Sequence, residues 1–183
     1  MESTLHDGAD LPAQISAHLE ALHRGRTTAS DALAAALARL EVAQQRFNAL
    51  TALHRERAPR RAAALDDRIR AGDRGGPLCG LPVVVKDNMD EAGVVSSAGC
   101  RAYDDRIPRD DAAVIQRLRA AGAVVVGRAN MHELADGVTS DNPHHGPVRN
   151  PWRPDHHPGG SSGGSAVVVA AGAVPAALGS DTG

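Results

Sequence analysis

Two short β-branched runs limit what this chain can fold into more than any other feature. Leu81-Pro82-Val83-Val84-Val85 and Ala123-Val124-Val125-Val126-Gly127 are almost wholly apolar and lack the alternation of a half-exposed strand. Such runs belong to strands buried on both faces. Between them, Asp110 to Ala121 carries Val114, Ile115 and Leu118 at helical spacing and stops at Gly122. Strand, helix and strand at these lengths predict a crossover unit in an α/β fold, with helices covering a sheet. Ser165 to Ala173 reads as a small-residue helix, and Val174 to Leu178 as a further strand. With aromatic residues at 2% (Phe47, Tyr103 and Trp152), the core has to be built from Ala, Leu, Val and Ile.

The first third reads as helix. Ile15, Leu19 and Leu22 share one face, and Gly25 breaks the run. Thr28-Ala29-Ser30-Asp31 offers a side-chain cap to a second helix. Its apolar stripe is Leu33, Leu37 and Leu40, with Val42 at the margin, while Arg39, Glu41, Gln44 and Gln45 look outward. A third, strongly basic helix spans about 58–71, with Pro59 in its first turn and Gly72 at its end. Composition changes at Asp73-Arg74-Gly75-Gly76-Pro77. The expected division is therefore a helical segment, 1–72, packing on a core, 73–183. Within that core, 136–164 is rich in Asn, Pro, His and Gly and reads as a long loop, a class that tends to be functional.

Charge narrows the function. Lys+Arg number 20 against 22 Asp+Glu, a formal net charge of -2, without the basic excess of a nucleic-acid binder. No apolar run approaches the roughly 20 residues of a membrane span, and the first residues do not resemble a secretory signal. Cys79 and Cys100 cannot make a disulfide framework. These features predict a soluble cytoplasmic protein with neither nucleic acid nor membrane as partner.

Two places could carry chemistry. Lys86 follows three valines, at the carboxyl end of a buried strand, where open α/β sheets place ligand sites. It is either ion-paired with Asp87 or held neutral as a base. A free lysine titrates near ~10.4, so about one in 2,500 is neutral at pH 7. Lowering that value to ~7 takes roughly 4.6 kcal/mol, which burial among apolar strands can supply. The second place is Gly159-Gly160-Ser161-Ser162-Gly163-Gly164-Ser165, directly before the apolar helix. It is either a flexible cap, or a loop whose glycines bring backbone amides and two hydroxyls close to a ligand.

Familiar readings of that loop fail. A phosphate-binding loop needs Lys where Ser165 stands. A Gly-x-Ser-x-Gly elbow must follow a strand and precede a histidine; Asn150 to Pro158 is no strand, and no histidine follows His157. The pairs His144-His145 and His156-His157, near Asp141 and Asp155, offer at most one ligand per pair, and His132-Glu133 lacks the second histidine of a helical zinc motif. No metal is expected.

Taken together, three ordered segments resemble the amidase signature family. They are Gly80 to Asn88 around the lysine, Gly159 to Ala166, and Leu178-Gly179-Ser180-Asp181-Thr182-Gly183, with Asn142 to Trp152 fitting the same pattern. The resemblance runs from about Leu33 onward. It implies a mixed sheet covered by helices, incomplete at the carboxyl end, with an amino-terminal helical arm. It also implies a Ser-cis-Ser-Lys triad in which Lys86 is the base and Ser161 the bridging serine. Asp87, Gly159, Gly160, Ser162, Gly163, Gly164, Ser180 and Asp181 would support the site; Met131, Thr182 and Gly183 would border substrate and oxyanion. Backbone amides of that last turn would stabilise the oxyanion, at roughly 3 kcal/mol per donor. No cofactor is implied, the partner is a small-molecule amide, and a homodimeric full-length form is compatible with it.

The family's attacking serine follows Asp-Thr-Gly-Gly, two residues past Gly183, so these residues are expected to hydrolyse no amide at a useful rate on their own. Met131-His132-Glu133-Leu134-Ala135 and Gly137 to Pro143 favour stand-alone aryl- or indole-acetamide amidases. The alternatives are the glutaminase subunit of a tRNA-dependent amidotransferase and a non-catalytic truncated remnant.

Overall fold

A computed structural model describes residues 11–181. In chain order the elements are α1 (Leu11–His23), α2 (Ala29–Phe47), β1 (Leu50–Leu53), α3 (Arg57–Arg70), β2 (Pro82–Lys86), α4 (Ala113–Ala120), β3 (Val124–Ala129), β4 (Asp141–Asn142), β5 (Gly146–Pro147), α5 (Gly163–Ala170) and β6 (Ala176–Leu178). The main sheet has the order β1-β3-β2-β6. Strand β2 is parallel to β3 and β6, and β1 runs antiparallel on β3, so the sheet is mixed.

Every residue of β2 and β3 is buried, as their unbroken apolar character requires. Alternation along the strands divides the core between two faces. Val84, Val124 and Val126 join Leu33, Leu40 and Phe47 of α2, Leu65 of α3 and Val167 and Val168 of α5. Val85 and Val125 face the other way, onto Ile115 of α4. Helix α4 is shorter than its sequence pattern predicted, and Val114 lies 37% exposed.

Local chemistry sets the ends of α2. Thr28 Oγ1 accepts from the Asp31 amide at 3.0 Å and Asp31 Oδ2 accepts from the Thr28 amide at 3.1 Å, a reciprocal capping box. Asp66 of α3 then accepts from the Ala29 and Ser30 amides, which ties the two helices. At the far end Asn48 turns left-handed at φ 53°, and Gln44 Oε1, expected to face solvent, accepts from the Leu50 amide at 2.7 Å. Val42 is 51% exposed and lies outside the stripe.

Strand β1 has no counterpart among the expected elements. Leu-Thr-Ala-Leu is too short for a periodicity to show, and its pairing with β3 is what makes it a strand. The segment up to residue 72 therefore contributes a strand to the sheet as well as covering helices. Within 136–164, β4 and β5, two residues each and joined by 143–145, form a short hairpin inside the expected loop.

Beneath the sheet's carboxyl edge lies a buried polar network. Arg128 on β3 donates from Nε to Asp87 Oδ1 at 2.9 Å and from Nη2 to Ser96 Oγ at 3.0 Å. Glu91, wholly buried, meets His54 at 2.8 Å and Arg119 at 2.7 Å. Burial pushes Glu91 up, but the His54 hydrogen bond and the charges of His54, Arg119 and Arg128 outweigh it and hold the carboxyl below its usual range.

Candidate active site

Lys86 is the last residue of β2, on the same parity as Val84, so its side chain runs on the α5 face of the sheet. Its fractional exposure is 0%. Asp87 takes the opposite direction, to Arg128 and to the Ser97 hydroxyl at 2.6 Å. Of the two roles open to Lys86 from sequence, the ion pair with Asp87 is absent because Asp87 is already engaged by Arg128. Desolvation lowers the affinity of the Lys86 amine for its proton, and the charge of Asp181 works against that shift.

The Gly/Ser loop brings its hydroxyl to this amine. Lys86 Nζ lies 2.6 Å from Ser161 Oγ, 2.9 Å from Ser180 Oγ and 3.3 Å from the Ser180 carbonyl. Three oxygens suit both protonation states. An ammonium donates three times; a neutral amine donates twice, to the Ser180 oxygens, and accepts from the Ser161 hydroxyl. The arrangement can therefore take and return a proton without losing partners. Asn88 Nδ2 donates to Ser180 Oγ at 2.9 Å and holds that hydroxyl beside the amine.

The loop is positioned from two sides. Ser140, at φ 58°, donates from Oγ to the Gly159 carbonyl at 2.9 Å and accepts from the Gly163 amide at 2.9 Å. The His132 amide donates to the Ser161 carbonyl at 3.1 Å. The Gly160–Ser161 peptide is cis. Ser162 Oγ donates to the Ser180 carbonyl at 3.1 Å and accepts from the Ser180 amide at 3.2 Å, while Ser165 Oγ donates to the Leu178 carbonyl at 2.7 Å. These bonds fasten the end of β6 and Ser180 beyond it to the start of α5. Helix α5 begins at Gly163 rather than Ser165, so Gly163 and Gly164 form its first turn.

Met131 is wholly buried, with its amide held by its neighbour Asn130 Oδ1 at 2.8 Å. Thr182 and Gly183 lie outside the described residues. Ser140, Asn88 and Asn130 were not singled out from sequence; their roles depend on contacts between distant segments. One signal was available for the lysine. Lys86 is the only lysine in the sequence, and every other fixed cation is arginine. A structural ion pair would be served by arginine, whereas only lysine can give up its proton in a protein.

The match to known proteins agrees with this geometry. The amidase family model matches residues 31–183. A glutamyl-tRNA(Gln) amidotransferase subunit of Nitratidesulfovibrio vulgaris (strain DP4) is 46% identical over 170 residues, covering 92% of this chain and 34% of that protein. A solved structure, described as a vestigial protein complex revealing the evolutionary origins of an s-triazine catabolic enzyme, superposes with a TM-score of 0.89 at 44% identity; the match covers 92% of this chain and 37% of that one. A bacterial aryl acylamidase of the amidase signature enzymes superposes at 0.82 with 29% identity, covering 88% and 33%. The chain spans about a third of the length of the relatives it matches. A buried lone lysine touching a serine of a Gly/Ser loop, a mixed sheet that superposes on these enzymes, and a family match over most of its residues make this chain a member of the amidase family of hydrolases.

Proposed function

We propose that Lys86 and Ser161 are the base and relay of a Ser-cis-Ser-Lys centre that hydrolyses a carboxamide to carboxylate and ammonia. The observation that carries this reading is the 2.6 Å approach of a fully buried amine to a serine hydroxyl. In the neutral form Lys86 accepts the Ser161 proton, and Ser161 accepts that of the attacking hydroxyl, which the family motif puts two residues past Gly183. The oxygen thus freed attacks the amide carbon. As the C–N bond breaks, the proton retraces the path to the departing nitrogen, leaving an acyl ester on the attacking serine; water, deprotonated through the same relay, then attacks that ester, the C–O bond to the serine breaks and carboxylate leaves. Burial favours the amine form that begins this sequence.

The substrate supported best is the side-chain amide of glutamine, with the protein acting as the glutaminase component of an amidotransferase beside a partner enzyme. Curated relatives at 40–46% identity are named as glutamyl-tRNA(Gln) amidotransferase components, whereas the aryl acylamidase stands at 29%. The preference for aryl or indole acetamides drawn from residues 131–143 is the weaker of the two.

The product of the complete reading frame containing these residues tests both levels. Wild-type protein is expected to release ammonia from glutamine, and Lys86→Ala to lose about 10²–10⁴-fold in that rate. Unchanged turnover in Lys86→Ala removes the base. Turnover of aryl acetamides but not of glutamine removes the glutaminase reading and leaves the centre intact.

A further inference from the structure

We propose that Cys100, Glu133 and His144 form a site for a divalent cation of borderline softness, zinc being the best match, beside the serine loop. One ligand atom from each lies within 4.8 Å of the other two. The three come from separate segments: Cys100 precedes the 3₁₀ turn Arg101–Tyr103, Glu133 opens the turn Glu133–Ala135, and His144 lies between β4 and β5. His144 Nε2 and Glu133 Oε1 are already 2.9 Å apart. Zinc bonds of ~2.0–2.3 Å put tetrahedral ligand atoms roughly 3.3–3.8 Å apart, so small side-chain adjustments close the set around an ion.

A buried side chain holds these segments in place. Asn142, 1% exposed, donates from Nδ2 to the Gly99 carbonyl at 2.8 Å and to the Met131 carbonyl at 2.9 Å. Its Oδ1 accepts from the His144 amide at 2.8 Å. One amide thereby ties together the backbone beside Cys100, two residues before Glu133 and at His144 itself, the kind of outer-shell support that metal sites use to orient their ligands.

The chemistry of the set selects the ion. Magnesium and calcium take oxygen ligands, whereas sulfur, nitrogen and oxygen together suit zinc or cobalt. The Glu133 and His144 side chains are about a third exposed, leaving a fourth position for water. When the ion binds, the S–H bond breaks, sulfur bonds the metal, and one proton leaves to solvent; Glu133 enters as carboxylate and His144 through the lone pair of a neutral ring nitrogen.

The product of the complete reading frame, stripped with a chelator, should be titrated with Zn²⁺ and then with Co²⁺ as a spectroscopic probe. One ion per chain, a thiolate-to-cobalt charge-transfer band and release of about one proton at neutral pH are expected. Cys100→Ser should abolish the band, and both Cys100→Ser and His144→Ala should weaken binding more than about tenfold. His144→Ala changes an exposed residue, so unchanged melting of its metal-free form separates lost ligation from lost fold. The double variant His156→Ala, His157→Ala should bind as wild type does. No binding at micromolar metal overturns the proposal. So does binding that survives both single changes, or that disappears with the distal histidine pair.

Discussion

Placing a methyl group on Gly164 sets two opposing effects against each other. Gly164 lies in the first turn of α5, where alanine is favoured by about 1 kcal/mol on helix propensity alone. A Cβ at that position would stand 2.3 Å from the Asn130 carbonyl oxygen and 2.4 Å from that of Ala49. Both partners are backbone atoms and neither can rotate aside. Relief requires α5 to retreat by roughly 1 Å, since unstrained carbon contacts begin near 3.5 Å. That movement stretches the bond from the Gly164 amide to Asn130, now 3.0 Å. Overpacking costs about 1–3 kcal/mol and the weakened hydrogen bond about 1, so Gly164→Ala should lose about 1–3 kcal/mol net of propensity. Urea unfolding followed by far-ultraviolet circular dichroism measures it. Ala166→Gly on the exposed side of the same helix serves as control and should lose about 1 kcal/mol. A Gly164→Ala protein as stable as wild type, or more stable, would refute the close packing of α5 on Asn130 and Ala49.

Two further outcomes follow from the buried charges. Arg128→Met leaves Asp87 and Glu91 without their shared cation and should cost about 3–5 kcal/mol, a fall in Tm of roughly 6–20 °C; a loss under about 1 kcal/mol would show the network is not structural. Lys86→Met tests the buried amine through pH. Because burial lowers the folded-state value, the unfolded chain binds more protons between that value and ~10.4, and wild-type stability should rise with pH relative to Lys86→Met across this window. A pH-independent difference would mean the amine titrates as it does in solvent.

Much of this molecule was legible in its residues, and the reasons differ from place to place. The valine runs announced β2 and β3 because strands covered on both faces need continuous apolar sequence. Lys86 and Ser161 were visible because each sits at the boundary of a strongly patterned element. Strand β1 was not, since four residues acquire their conformation from β3 rather than from local preference. The Asp87–Arg128 pair was hidden because Arg128 lies just beyond the apolar run, on a strand that continues through a charged residue. The grouping of Cys100, Glu133 and His144 escaped for a further reason: no periodicity links segments that a buried asparagine brings together.

The solitary lysine also has a practical side. Acylating and reductive-alkylating reagents attack neutral amines that solvent can reach, and the one side-chain amine in these 183 residues is enclosed between β2 and the Gly/Ser loop. Across this stretch the exterior presents guanidinium groups instead, which such reagents leave alone. Any label that does arrive at position 86 therefore records an excursion of the loop away from the sheet, and its rate of arrival times how often the pocket opens.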